Sequence, residues 1–245
     1  MEKIEPKPDR TATDVARDFI RNSPIPDAEL GRNLALYMNR QLMSRILFMN
    51  ELYQRIVEVH GIVIEFGTRW GQNMAIFHNL RGMVEPFNMN RKLVCFDTFE
   101  GFPEVSIEDG AYQYVKTGEL SVTVGYEQHL QAVLEWHESQ SPLSSIRRFD
   151  IRKGDAVEEL QRYLKENPQT IVALAYFDMD LYRPTKNCLE FLKPYLTRGS
   201  VVGFDEMNVK EWQGETIAYR EVFPLDRYRI QRWPHSSSAS FIVID

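Results

Sequence analysis

Two short apolar runs that each end in acid constrain this chain most. The first, Ile171 to Phe177, stops at Asp178-Met179-Asp180; the second, Ser200 to Phe204, stops at Asp205-Glu206. Between them lies a helical segment of the length that a crossover between parallel strands requires. Parallel neighbours of this kind deliver four carboxylates to one edge of a sheet, beyond the carboxyl ends of the strands, where open α/β sheets bind ligands. Crowded carboxylates repel one another unless positive charge sits among them. A hard divalent cation such as Mg²⁺ meets that need, because it takes oxygen ligands and keeps water and substrate oxygens in its shell. Asp178 and Asp205, one strand-helix-strand repeat apart, are the leading candidates as ligands. Side chains alternate along an extended chain, so Asp180 can share a face with Asp178. Asp180 is therefore open to two roles, ligand or base beside the metal. The competing reading is that such acids are polar loop residues or caps of the following helices.

Upstream, Gly61 to Phe66 reads as a buried strand, followed by the turn Gly67-Thr68-Arg69-Trp70-Gly71-Gln72-Asn73 and a helix over Met74 to Leu80. A glycine turn between a parallel strand and a helix lets a ligand approach the backbone and offers it helix N-terminal amides. Glu65 stands just before that turn. Lys92 to Phe96 is the next strand, ending in Asp97-Thr98-Phe99. An acid at this place is where α/β nucleotide binders grip ribose hydroxyls. Neither G-x-G-x-x-G nor G-x-x-x-x-G-K-[ST] occurs, which argues against a nicotinamide enzyme and a P-loop. Ile146 to Lys153 alternates instead of running solidly apolar and is placed near the sheet edge. It ends in Gly154-Asp155 before a helix over Ala156 to Leu164. Asp155 can cap that helix, hold an adenine amino group, or do both. A short helix around Thr216 to Glu221 precedes two runs, Tyr228 to Trp233 and Ala239 to Ile244, that read as an antiparallel hairpin.

Pro103 to Ser145, rich in Gly, Ser, Glu and aromatics with one helix near Glu127 to Glu138, is an insert on the loop edge and is expected to be a lid. His129 and His137 within it are expected on the surface. Residues 1–60 are expected to form an arm with a short helix at Ala12 to Arg21, then a long helical stretch from Asp27 to Val59 broken near Asn39 to Leu42. These helices point to a homo-oligomer.

The 245 residues, 43% of them hydrophobic, suit one α/β domain with additions. The net charge of −6 and the lack of a basic block argue against a nucleic-acid partner. Cys95 and Cys188 lie inside apolar stretches and read as buried thiols, which fits a cytoplasmic setting. The charged N-terminus has no signal-peptide core, and no apolar run reaches the ~18 residues of a membrane span.

The motifs E-F-G-x-R-W-G, F-D-T-F-E-G-F, F-D-M-D-L-Y and F-D-E resemble those of the macrocin O-methyltransferase family, over roughly Gly61 to Ile244. The resemblance implies a class I S-adenosylmethionine-dependent sugar O-methyltransferase. The implied fold is α/β and Rossmann-like: a mostly parallel seven-stranded sheet with a C-terminal antiparallel hairpin, spanning 61–245, with a lid insert at 103–145. The sequence looks most like enzymes acting on the 3-hydroxyl of a dTDP-6-deoxyhexose. By the same resemblance Glu65 and Gly67 lie along the methionine part of the cofactor, with Thr68 and Arg69 close by. Asp97 holds the ribose, Thr98 and Phe99 adjoin the adenosine, and Asp155 meets the adenine. Asp178, Asp205 and Glu206 would ligate Mg²⁺, with Asp180 as general base. Met179 and Glu206 depart from the family's D-G-D-L-Y and D-D. The rival readings are a catechol or phenol O-methyltransferase and a non-catalytic nucleotide-binding partner subunit.

Overall fold

The computed structural model describes residues 11–245, so the part of the expected arm ahead of Thr11 lies outside the described residues. The chain divides into a unit ending at Arg45 and a unit from Ile46 to Asp245. In the first, α1 (Ala12–Arg21) starts at a capping box in which the Thr11 hydroxyl accepts from the Asp14 amide and the Asp14 carboxylate accepts from the Thr11 amide. A short α2 (Asp27–Leu30) and a 3₁₀ turn over Gly31–Tyr37 follow, and the Tyr37 hydroxyl donates to Ser23 at 2.7 Å. The boundary falls inside α3 (Arg40–Ile56), ahead of the Gly61 expected from sequence. Phe48, Met49, Leu52, Tyr53 and Ile56 of this helix are buried in the second unit's core, which is why that unit claims them.

The second unit is a three-layer sandwich. In chain order it runs β1 (Ile62–Phe66), α4 (Gln72–Val84), β2 (Leu93–Asp97), α5 (Tyr126–Ser139), β3 (Phe149–Lys153), α6 (Ala156–Glu166), β4 (Val172–Phe177), α7 (Tyr182–Leu192), β5 (Leu196–Phe204), α8 (Gly214–Val222), β6 (Gln231–Arg232) and β7 (Ser240–Val243). The seven strands lie in the order β3-β2-β1-β4-β5-β7-β6; the first five are parallel, and β7 pairs antiparallel with both β5 and β6. Alternating side chains divide the core between two faces. One carries Ile64, Val94, Ala175 and Val202 against α6, α7 and α8; the other carries Val63, Leu93, Leu174 and Val201 against α3, α4 and α5. Both faces of β1 and β4 are covered, so their runs are solidly apolar apart from Glu65. β3 is the edge strand its alternation suggested. It begins at Phe149 and not Ile146, because Arg148 is drawn into an ion cluster.

The strands β2, β1, β4 and β5 carry phenylalanines in register at or next to their ends. Phe66, Phe96, Phe177 and Phe204 are register partners, and their rings stack at 5.1 Å (66 on 96), 4.8 Å (66 on 177) and 5.5 Å (177 on 204). Stacked pairs contribute about 0.5–1.5 kcal/mol each beyond their burial. Their larger consequence is alignment: the next residues, Gly67, Asp97, Asp178 and Asp205, stand side by side along one edge.

The opposite edge, where β1, β2 and β3 begin, is pinned by charge. Arg81, Arg91 and Arg148 are buried, with Glu85 and Glu138 between them. Arg81 and Arg148 both reach Glu138 at 2.7 Å, and Arg91 reaches Glu85 at 2.8 Å. Further donors of Arg91 meet the carbonyls of Ile56 and Val59, and those of Arg148 meet the carbonyls of Pro86 and Asn88.

The expected lid splits in two. Its helix, α5, buries Leu130 and Leu134 against the sheet and Glu138 in the ion cluster, so it belongs to the layers. The preceding residues, 103–125, form a strap closed on itself by paired backbone bonds between Phe102 and residues Gly118 and Glu119. His129 is exposed as expected. His137 is not: it is half-buried, its ring 5.9 Å from that of His78, a buried histidine on α4.

Candidate functional site

The aligned strand tips build the site. The amide of Gly67 donates to the Phe96 carbonyl at 3.0 Å, that of Asp178 to Phe66 at 2.9 Å, and that of Asp205 to Phe177 at 3.1 Å. The β1–α4 turn therefore lies against the end of β4. A β-carbon on Gly67, whose φ is +81°, would overlap the Asp178 carbonyl oxygen, so only glycine lets the two segments meet.

Asp97 closes the turn from the β2 side. One of its oxygens accepts the Arg69 amide at 2.6 Å and the other accepts the Phe99 amide at 2.5 Å. Arg69 and Phe99 have φ of +48° and +59°, left-handed conformations that cost a side-chain-bearing residue of order 1–3 kcal/mol and cluster at functional sites. Burial pushes the Asp97 carboxyl above its ordinary pKa, against the opposing pull of those two amides. A carboxylate so poor in water gains from hydroxyl donors.

The other expected cofactor contacts divide. Glu65 is fully buried, with Cys95 and Tyr176 as its register partners. Thr68 is buried beside the Cys95 thiol, and Arg69 is exposed. The Thr98 hydroxyl serves its own turn, donating to the Gly101 carbonyl at 2.8 Å and accepting from Glu100 at 3.1 Å. The Phe99 ring packs in the core. Asp155 caps α6, one oxygen accepting the amides of Val157 and Glu158 at 2.9 and 3.0 Å. Cys95 and Cys188 are free buried thiols, and burial raises both.

At the tips of β4 and β5, the Tyr176 hydroxyl donates to Asp205 Oδ1 at 2.7 Å and fixes that carboxylate. Asp180 holds the left-handed region at φ +62°. Under both loops lies Glu215, the second residue of α8, with no exposed surface. One of its oxygens accepts the amides of Met179 and Asp180 at 3.2 and 3.4 Å, and the other accepts the Glu206 amide at 3.2 Å. Burial, then Asp180, Asp178 and Asp205, push its carboxyl well above the ordinary range. By accepting amides from both loops, Glu215 brings the Asp178-Asp180 and Asp205-Glu206 segments into one neighbourhood. Asp109 of the strap, also buried, accepts the Tyr182 amide and so joins the strap to the Asp180 loop.

Sequence reasoning missed Glu215 and Asp109. Each stands where an acid has an ordinary explanation, Glu215 in a helix first turn and Asp109 in a Ser106-x-x-Asp109 capping box. Asp178 and Asp205 directly follow the paired ends of β4 and β5, with Glu206 next in the chain; among the described residues no group of three His, Cys, Asp or Glu side chains is arranged as a ready-made metal site. The Glu206 backbone is tied to Glu215. No helix of the described residues is long and apolar enough to cross a membrane.

A parallel sheet in this strand order, finished by an antiparallel hairpin and lined at its tips with a glycine turn and acids, defines a class I methyltransferase. No protein-family model and no curated protein matches the chain. Solved structures do. The crystal structure of CalS11, a calicheamicin methyltransferase, is 40% identical with a TM-score of 0.92, over 96% of this chain and 93% of that one. The apo structure of CalS11, described as a TDP-rhamnose 3'-O-methyltransferase of calicheamicin biosynthesis, is 38% identical with a TM-score of 0.85, over 98% and 96% of the two chains. The chain belongs to the family of class I sugar O-methyltransferases that includes CalS11, and it is an O-methyltransferase. The O-methyltransferase NovP, 16% identical with a TM-score of 0.60 over 82% of this chain and 79% of its own, shares the fold.

Proposed function

We propose that this enzyme methylates a hydroxyl of a nucleotide-activated 6-deoxyhexose, the 3-hydroxyl of a dTDP-sugar, with S-adenosylmethionine as donor and Mg²⁺ at the acid edge. The observation that carries the reading is the adjacency of the β4 and β5 tips, which bring Asp178, Asp180 and Asp205 together beside a glycine turn closed by Asp97. The activity of CalS11 on TDP-rhamnose, at this identity and over nearly the whole length of both chains, supports the choice of substrate.

The residues fit the metal. The donors are all oxygens, the set a hard cation takes, and Mg²⁺ is commonly held by one or two carboxylates with water and substrate oxygens. Asp178 and Asp205 therefore suffice, and Glu206 is not needed as a ligand. When bound, the ion lowers the pKa of a hydroxyl it coordinates, and the sulfonium donor supplies an electrophilic methyl group.

The chain's own residues do the rest. Asp97 offers lone pairs to the ribose hydroxyls, with the Gly67 turn against the methionine part and Glu65 beneath it. The uncapped oxygen of Asp155 serves the adenine amino group. Tyr176 keeps Asp205 oriented. Asp180 accepts the proton of the sugar hydroxyl. The strap, tied to the Asp180 loop through Asp109, limits water.

Incubation with methyl-labelled S-adenosylmethionine and Mg²⁺, across panels of dTDP-sugars and of catechols, tests this. Label is expected on the 3-hydroxyl of a dTDP-6-deoxyhexose, and excess EDTA is expected to stop it. Label on phenols alone overturns the substrate, and undiminished rates in EDTA overturn the metal.

A further inference from the structure

We propose that Glu215 is a positioning residue that holds Asp180 in its working conformation by tying the β4 and β5 loops into one frame. The inference rests on the reading of Asp180 as base. Three observations carry it.

The first is the hydrogen bonding. A single carboxylate with no exposed surface accepts backbone amides from both loops, Met179 and Asp180 on one oxygen and Glu206 on the other. Tyr176 of β4 reaches only the Asp205 side chain, whereas Glu215 takes the backbone of both loops.

The second is the conformation being held. Asp180 carries a side chain at φ +62°, and such a residue persists only where its surroundings over-determine it. Glu215 supplies a bond to its amide.

The third is the neighbouring glycine. A β-carbon on Gly214 would lie 2.5 Å from the Asp180 carbonyl oxygen, 2.6 Å from the Tyr182 amide and 2.7 Å from Asp109 Oδ1. The start of α8 is thus seated directly on the backbone that carries the base, and the strap's Asp109 meets the same spot. Glu215 and Gly214 hold the amide side and the carbonyl side of one residue.

The test uses the full-length enzyme and compares Glu215→Gln, Glu215→Ala and Asp180→Asn, alone and combined. Glutamine keeps the shape but turns one acceptor into a donor that faces an amide. Glu215→Gln is expected to lower kcat by about 10–100-fold, the scale of a misplacement near 1 Å, with KM, S-adenosylmethionine affinity and Tm little changed. In the Asp180→Asn background the same substitution is expected to cost clearly less, because residues that act through one another are non-additive. Should Glu215→Ala fail to fold, Glu215→Gln decides. A kcat within about threefold of the parent, a loss that tracks Tm or cofactor affinity, or a full multiplicative loss in the Asp180→Asn background overturns the proposal. If Asp180→Asn itself turns over normally, the assignment of the base falls, and this inference with it. If Asp180→Asn is inactive and Glu215→Gln is normal, only this inference falls.

Discussion

The two ends of the one sheet handle buried charge in opposite ways. Where β1, β2 and β3 begin, three buried arginines enclose two buried glutamates, and backbone carbonyls take up further guanidinium donors. Where β1, β2, β4 and β5 end, acids gather, the Glu215 carboxyl is pushed up by burial and then by neighbouring aspartates, and side-chain-bearing residues, among them Arg69, Phe99 and Asp180, hold left-handed backbones. The first arrangement pairs each buried glutamate with arginine and locks strand starts. The second stores repulsion and strain, which is tolerated where the surroundings enforce it and a ligand benefits from it. The difference teaches that the same interactions mean stability at one edge and chemistry at the other.

That contrast is open to attack, and the largest expected effect comes from the acid edge. Asp180→Asn should lower turnover by about 10²–10⁴-fold, the range of general base catalysis, while Tm stays level or rises as like charge is removed. Parallel measurements of kcat and thermal unfolding check this; a Tm that falls with activity would make Asp180 a structural residue like those at the other end.

Next in size, Glu138→Ala should destabilise the protein by about 3–5 kcal/mol, the cost of leaving buried charge without its partner. Arg81 and Arg148 both depend on that carboxylate. Denaturant unfolding reads the loss. A small change there would remove the ion cluster from its role as the lock.

A smaller effect concerns His78, packed against His137 and Phe149. Burial first, then Arg81, His137 and Arg148, push its pKa down to about 2 from 6.5. The unfolded chain takes up a proton below pH 6.5 and the folded chain does not. Stability is thus complete above that pH and is lost as pH falls, by about 2 kcal/mol at pH 5. Unfolding of the parent and of His78→Leu at pH 5 and 7.5 should show the slope in the first and its reduction in the second. Equal slopes would place the acid sensitivity elsewhere.

The smallest is Asp155→Ala, which removes the α6 cap and should cost about 1 kcal/mol. A fall in S-adenosylmethionine affinity beyond that would sharpen the assignment of Asp155 to the adenine as well. Unchanged affinity would leave it a cap alone.

Much of the site was legible because its signals are local. Each of the apolar runs of β1, β2, β4 and β5 closes on a phenylalanine followed by glycine or aspartate, which assigns Gly67, Asp97, Asp178 and Asp205 to one edge from local sequence alone. The left-handed Arg69 and Phe99 carried no such mark, because ordinary residues adopt that backbone only when distant groups hold them. The insert 103–145 reads as a lid because it is rich in Gly, Ser, Glu and aromatics, yet Leu130 and Leu134 suffice to seat its helix in the core.

Alternation and strand ends belong to neighbouring residues, so the sequence by itself determined the parallel sheet, its direction and the acids at its tips. The ion cluster and the Glu215 tether belong to residues far apart in the chain. Arg81 meets Glu138 across 57 positions, and Glu215 meets Asp180 across 35. Only the tertiary structure decided these, because the free energy of a buried charge depends on which groups folding brings within hydrogen-bond reach, and no local pattern encodes that distance.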